Sequence, residues 1–228
     1  MLLYFSLLNV SLAQEESVDV DSTEDLRTES NHGAAVGVGL LGVTASYIYA
    51  VNDKLAVSAR YHMLPAPEAT KTSEQIGAEI GPYQDTTSLG GVSLIAHYHP
   101  LKEKMKWARV AVGAVYNMST ISISKTGEVP VGESGTVTDL SSDPLEATVG
   151  FNPVLPYFAL GTGIDNNKGF GFFLDLGMMY QGNASVSFSP NSIVSDDDVT
   201  FEQTTLETFY NGQARIYPVL DLGVTYMF

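Results

Sequence analysis

From residue 33 onward the chain alternates between large apolar and small or polar positions, in blocks of roughly ten residues. In the last block Ile216, Pro218, Leu220, Leu222, Val224, Tyr226 and Phe228 share one face. Arg215, Tyr217, Val219, Asp221, Gly223, Thr225 and Met227 share the other. The stretch GFGFFLDLGMMYQG repeats the pattern, with Phe170, Phe172, Leu174, Leu176, Met178 and Tyr180 opposing Gly171, Phe173, Asp175, Gly177, Met179 and Gln181. In WARVAVGAVYNM, Val110, Val112, Ala114, Tyr116 and Met118 oppose Arg109, Gly113 and Asn117. A period of two predicts strands, since successive side chains point to opposite faces.

The apolar faces are large and end in aromatics, whereas the opposite faces are Gly-rich with isolated charges. A soluble sandwich would bury the first kind of face and expose the second. The reverse arrangement, apolar outside and small or polar inside, is that of a membrane barrel. The last strand then closes the ring, with Tyr226 and Phe228 in an aromatic girdle at one membrane interface.

Connections alternate in length. VNDKL, HPLKEKMK and DNNKG are short, while 64–88, 122–149 and 182–213 are long. Outer-membrane barrels pair short periplasmic turns with long outer loops, which places both chain ends in the periplasm. Seven strands are clear, and ends on the same side require an even number. The eighth is placed at Gly33–Leu40, folding back through Leu40–Gly42 onto Val43–Val51. The predicted fold class is therefore all-β: a transmembrane, antiparallel, up-and-down β-barrel of eight strands covering residues 33–228.

Composition adds a secretory signal and excludes several chemistries. Residues 1–13 hold an apolar stretch of h-region length, with small Ser11 and Ala13 before the expected cleavage point. Residues 14–32 are acidic and lack aromatics, and read as a disordered linker. Cysteine is absent, so disulfides, thiolate metal sites and Cys nucleophiles are excluded. A net charge of −15 argues against nucleic-acid partners. Its acidic residues concentrate in the linker and the long loops; they form either a plain solvated surface or a field drawing cations to the outer mouth.

Three motifs come close to known chemistries. GVGLLG at 37–42 matches a dinucleotide fingerprint, but β-favouring residues follow it where a helix should open. Its glycines are read as lining a narrow lumen. SDDDV at 195–199 could meet a divalent cation, yet lacks the spacing, glycine and closing Glu of an EF-hand, and reads as a solvated loop tip. Ser93 and His97 share a strand face about 13 Å apart, too far for a nucleophile–base hydrogen bond. His97 and His99 are read as lumenal or rim histidines. No catalytic residue, cofactor site or metal ligand is expected.

The inward charges carry more information. Arg60, Arg109, Arg215, Asp175 and Asp221, with His62, project into a lumen of low dielectric, where isolated charges are unfavourable and must pair. An eight-stranded barrel is only wide enough for its side chains to fill it. Either a static salt-bridged plug results, or a rearrangeable one lining a narrow polar path.

YHP at 98–100, GAVYN at 113–117, LPYFALGTG at 155–163, GFGFFLDLGMMYQGNASV and the ending YPVLDLGVTYMF together carry a resemblance. The chain resembles the small eight-stranded outer-membrane proteins of Gram-negative bacteria, the CarO-like group included. Ala184 departs from the Pro that the family often has after GN. The resemblance implies a monomeric outer-membrane barrel without a wide pore, embedded in outer-membrane lipid and lipopolysaccharide. It also implies slow uptake of small solutes, basic amino acids and carbapenems among them. Asp221-x-Gly223-x-x-Tyr226-x-Phe228 is similar to the signal read by the barrel-assembly machinery. The function expected is a narrow, slow channel or uptake protein for small cationic solutes. The alternative is a non-conducting barrel whose acidic loops contact a partner, a surface or divalent cations. Deleting Phe228, or changing both Tyr226 and Phe228 to Ser, should block insertion; normal heat-modifiable migration of these variants from outer membranes would contradict this.

Overall fold

The structure is a computed structural model that describes residues 31–64, 71–72, 83–101, 107–164, 168–213 and 215–228. The expected signal segment, all but the last two residues of the linker, and the centres of two short turns, HPLKEKMK and DNNKG, lie outside the described residues.

In chain order the elements are β1 (His32–Gly39), β2 (Gly42–Asn52), β3 (Leu55–Met63), β4 (Lys71–Thr72), β5 (Gln84–Ser88), β6 (Gly90–Tyr98), β7 (Arg109–Asn117) and β8 (Thr120–Lys125). There follow β9 (Glu128–Val131), β10 (Thr136–Asp139), β11 (Leu145–Gly150), β12 (Val154–Thr162), β13 (Gly169–Tyr180), β14 (Ser185–Phe188), α1 (Asp196–Gln213) and β15 (Ile216–Met227). Eight of the strands close into an antiparallel barrel in the order β1-β15-β13-β12-β7-β6-β3-β2. The first strand starts at His32, one residue inside the expected linker, and folds back on β2 with Gly39 opposite Gly42. Its other edge pairs with β15, Gly33 opposite Met227, so the ring leaves no free edge.

The alternation read from the sequence holds around the ring. Val36, Tyr47, Leu94, Val112, Leu160, Phe172 and Leu222 face outward, and Phe170 is 86% exposed. An outward apolar belt is stable only against hydrocarbon, so these strands span a membrane. Among the described residues no helix is long and apolar enough to cross one. Exposed Tyr49, Tyr98, Trp107 and Phe228 mark one rim, and Tyr61, Tyr116 and Tyr180 the other. At the first rim Phe170, Tyr226 and Phe228 pack in series, with ring centroids 4.8 and 6.4 Å apart.

Beyond the second rim, folded structure stands where the sequence predicts loops. A five-stranded sheet runs β14-β11-β8-β5-β4. Its members prolong β13, β12, β7 and β6, so one side of the barrel wall continues past the membrane as a head. Tyr83, Ile123, Val149, Val186 and Leu206 form a core there, with Phe201, Phe209 and Tyr210 packed against it. The acidic run 196–198 is not a loop tip but the first turn of α1. Ser195 caps that turn: its Oγ accepts from the Asp198 N–H and donates to the Asp198 carboxylate. Three acidic residues at a helix N-terminus also complement the helix dipole.

A buried charge pair ties α1 to the sheet. Lys125 Nζ donates to Glu202 Oε1 at 2.7 Å, with both side chains fully buried. The Tyr83 hydroxyl donates to the other carboxylate oxygen at 2.5 Å, and the Gly132 N–H donates to Oε1. Burial holds the Lys125 ammonium below its ordinary range, against the opposing pull of Glu202. Burial first, and then the Glu202 carboxylate, push the Tyr83 hydroxyl far above its ordinary value. A group whose folded pKa is raised contributes stability that is complete below its unfolded pKa and is lost as pH rises beyond it. The head should therefore loosen to protease as pH climbs past about 10, before the barrel loses heat-modifiability, and Tyr83→Phe should remove that alkaline step. An alkaline step of unchanged size in Tyr83→Phe would contradict the assignment.

Candidate functional site: a plugged lumen

Asp175 on β13 and Asp221 on β15 are direct cross-strand partners, and both point inward. Two carboxylates so placed repel unless a cation lies between them. Arg60 supplies it from β3, on the opposite side of the ring from β13. Its guanidinium crosses the lumen as a fork, Nη1 donating to Asp221 Oδ2 at 2.9 Å and Nη2 to Asp175 Oδ2 at 3.2 Å. The remaining Nε donates to Ser46 Oγ at 3.2 Å. Arg109 on β7 reaches Asp175 from the side, Nη2 to Oδ1 at 2.5 Å, and its Nε donates to the Thr162 carbonyl. Two arginines and two aspartates cancel in charge, and nearly every donor and acceptor is used.

Neutral groups extend the network. Arg109 Nη1 also donates to His97 Nδ1. Since a guanidinium only donates, Nδ1 must accept, which leaves Nε2 to donate to Ser58 Oγ at 2.7 Å. Thr44 Oγ1 donates to Asp221 Oδ1 at 3.5 Å. Tyr157 is buried beside this cluster, and its hydroxyl has no hydrogen-bond partner among the described residues.

Glycine makes two close approaches feasible. Gly161 on β12 stands in register between Arg109 and Asp175. A methyl there would lie 2.3 Å from Asp175 Oδ1 and 3.3 Å from Arg109 Cζ, so the ion pair passes over bare backbone. Gly37 and Gly223, partners across β1 and β15, leave a slot for the Phe173 ring, which a methyl would meet at 2.7 or 2.6 Å. Arg60 lies over that ring, 5.4 Å from its centroid.

Apolar layers seal the network on both sides. Toward the first rim Ile48, Ala50, Ala56, Ile164 and Met227 pack with Phe173. Toward the head Ile95, Val115, Leu155, Met179 and Val219 pack together. Inside the plug a void of about 10 Å³ remains, bordered by Arg60, His62, Tyr157 and Asp221. A cavity of about 200 Å³ lies between the plug and the head.

Of the charges expected in the lumen, Arg60, Arg109, Asp175 and Asp221 are brought together, and His62 is buried beside them. Arg215 is not: it is exposed, one residue before β15 begins. Its parity matches the inner face, but the strand starts too late to carry it into the lumen. Gly223 lies opposite Phe173, while Tyr226 and Phe228 face outward at the first rim. Sequence reasoning left Ser58, Thr44 and Tyr157 unremarked, although each falls on the inward parity of its strand.

Fold and site define a class: a closed, membrane-spanning, eight-stranded barrel with an ionic plug. No protein-family model matches the sequence, and no curated protein matches it. Two crystal structures are similar in fold. One is CarO of Acinetobacter baumannii, with a TM-score of 0.51 and 18% identity, covering 89% of this chain and 99% of that one. The other is CarO2 of the same organism, with a TM-score of 0.54 and 17% identity, covering 88% and 100%. The chain thus has the CarO-like eight-stranded barrel fold.

Asp175 serves both arginines, whereas Asp221 serves only Arg60. Removing one partner of a buried pair costs about 3–5 kcal/mol. Asp175→Ala should therefore destabilise the barrel by about that much and Asp221→Ala by clearly less, read as shifts in the urea midpoint of heat-modifiable migration in micelles. Equal shifts would contradict the shared-anion geometry.

Proposed function

We propose that this protein is an outer-membrane barrel, shut at rest, that takes up small solutes slowly through rearrangement of its plug. One observation carries the reading: two arginines and two aspartates are buried in a lumen that apolar side chains could fill. Replacing buried ion pairs by well-packed apolar residues is often neutral or stabilising, so stability alone does not explain them. Among the described residues, side chains alone make the plug, and their movement leaves the wall's ladder of hydrogen bonds untouched.

The orientation in this reading puts the head outside and both chain ends in the periplasm. Outer-membrane lipid and lipopolysaccharide cover the apolar belt, and the barrel-assembly machinery reads Asp221, Gly223, Tyr226 and Phe228. The protein works as a monomer. Glu133, Asp139, Glu146, Asp196 and Asp197 are exposed on the head and favour the approach of cations. A second reading is a non-conducting barrel that presents an acidic head; the separate core of the head and its buried Lys125–Glu202 pair favour it.

Swelling of liposomes containing the refolded protein separates the two. Uptake predicts slow swelling in lysine, slower swelling in glutamate, and a difference that shrinks above roughly 0.15 M ionic strength, where the Debye length falls below about 8 Å. No swelling in either solute would remove the uptake reading and leave the second.

A further inference from the structure

We propose that the cavity between plug and head is a binding site for one small, uncharged molecule with a flat apolar body, of single-ring size. The inference goes beyond the uptake reading and does not need it, because binding in the cavity requires no conduction.

Size sets the first limit. The cavity measures about 200 Å³, and a cavity of about 150 Å³ lined by apolar side chains already accepts benzene. Its walls set the second. Leu89, Val115, Phe151, Leu155 and Met179 line it from the barrel and the base of the head. Tyr210 of α1 also borders it, so the head forms part of its wall. Ligand sites are typically of this kind, apolar with a few polar groups that orient the ligand.

Charge sets the third limit. Among the described residues, no Asp, Glu, Lys or Arg lines it. Arg60 and Asp221, which border the smaller void beside His62, are already paired with each other. A charged solute would be desolvated here without a counter-ion, which is strongly unfavourable. The acidic exterior and the cavity are thus different filters: the first draws cations near, and the second does not hold them.

The polar groups are at the edges. Asn117 and Gln181 border the cavity toward the head, and His62 forms part of its floor. His62 also borders the water-sized void beside Arg60. The unpartnered Tyr157 hydroxyl lies one layer further in, on that same void. A bound hydroxyl or amide therefore meets polar groups at both ends of an apolar slot, and the lower end leads to the plug.

The test uses full-length protein in lipid nanodiscs with ¹³C-methyl methionine. Met179 lines the cavity, whereas Met178 lies on the lipid face and reports partition into the bilayer. Benzyl alcohol should shift the Met179 methyl signal saturably and Met178 only in proportion to concentration. Benzylammonium and benzoate should bind at least tenfold more weakly at Met179. Leu155→Trp, which fills the cavity, should abolish the Met179 response while heat-modifiable migration persists; Val115→Phe on β7 serves the same purpose should the first variant not fold. A Met179 shift that tracks Met178 without saturating, or equal affinity for the charged analogues, would overturn the site. Saturable Met179 binding by a protein that gives no liposome swelling in lysine or glutamate would keep the site and remove uptake; swelling in lysine without a saturable Met179 response would keep uptake and remove the site.

Discussion

Arg60 reaches across the full width of the barrel to two carboxylates that would otherwise repel each other, and the interior is arranged around that span. An eight-stranded ring leaves just enough room for side chains, so a guanidinium from one wall can touch the other. Once there it must be neutralised, and Asp175 and Asp221 do so together. Their adjacency on β13 and β15 is unfavourable without Arg60. Arg109 then compensates the second negative charge, and Gly161 lets it pass. The glycines opposite Phe173 follow from the same crowding, because the ring that carries Arg60 needs bare backbone behind it.

The head obeys the same constraint in a second place. Lys125 and Glu202 are buried together, and Tyr83 and the Gly132 N–H complete the carboxylate's hydrogen bonds. Both sites place charge where apolar packing was available. In the lumen this yields a barrier of side chains inside an unbroken wall. In the head it joins a helix to a sheet that is itself an extension of the barrel wall. The cavity between them exists because the plug stops short of the head.

The barrel was legible because its signal is periodic. Each strand shows its parity, and Arg60, Arg109, Asp175 and Asp221 stand out as charges on faces that carry few others. The start of β1 was placed within one residue by the need for an even ring. Parity alone misplaced Arg215, because parity does not say where a strand begins. The head was not legible. Its strands are short, and α1 is rich in threonines, whose β-branched side chains suit strands and loops as well as helices. Ser195 and Asp198 have capping spacing, and Leu206, Phe209 and Tyr210 lie about one turn apart, but the acidic run between cap and core reads first as a solvated tip. The ion pairs across the lumen could not be read from sequence at all, since they join residues 66 to 161 positions apart.

The central claim is that buried ion pairs, and Asp175 above all, hold the lumen shut. Current through single barrels in a planar bilayer tests it most directly. Wild type should show no steady conductance, while Asp175→Ala, which leaves Arg60 and Arg109 without their shared anion, should show discrete openings. A standing open step in wild type, or an Asp175→Ala variant that folds normally and stays silent, would contradict the account.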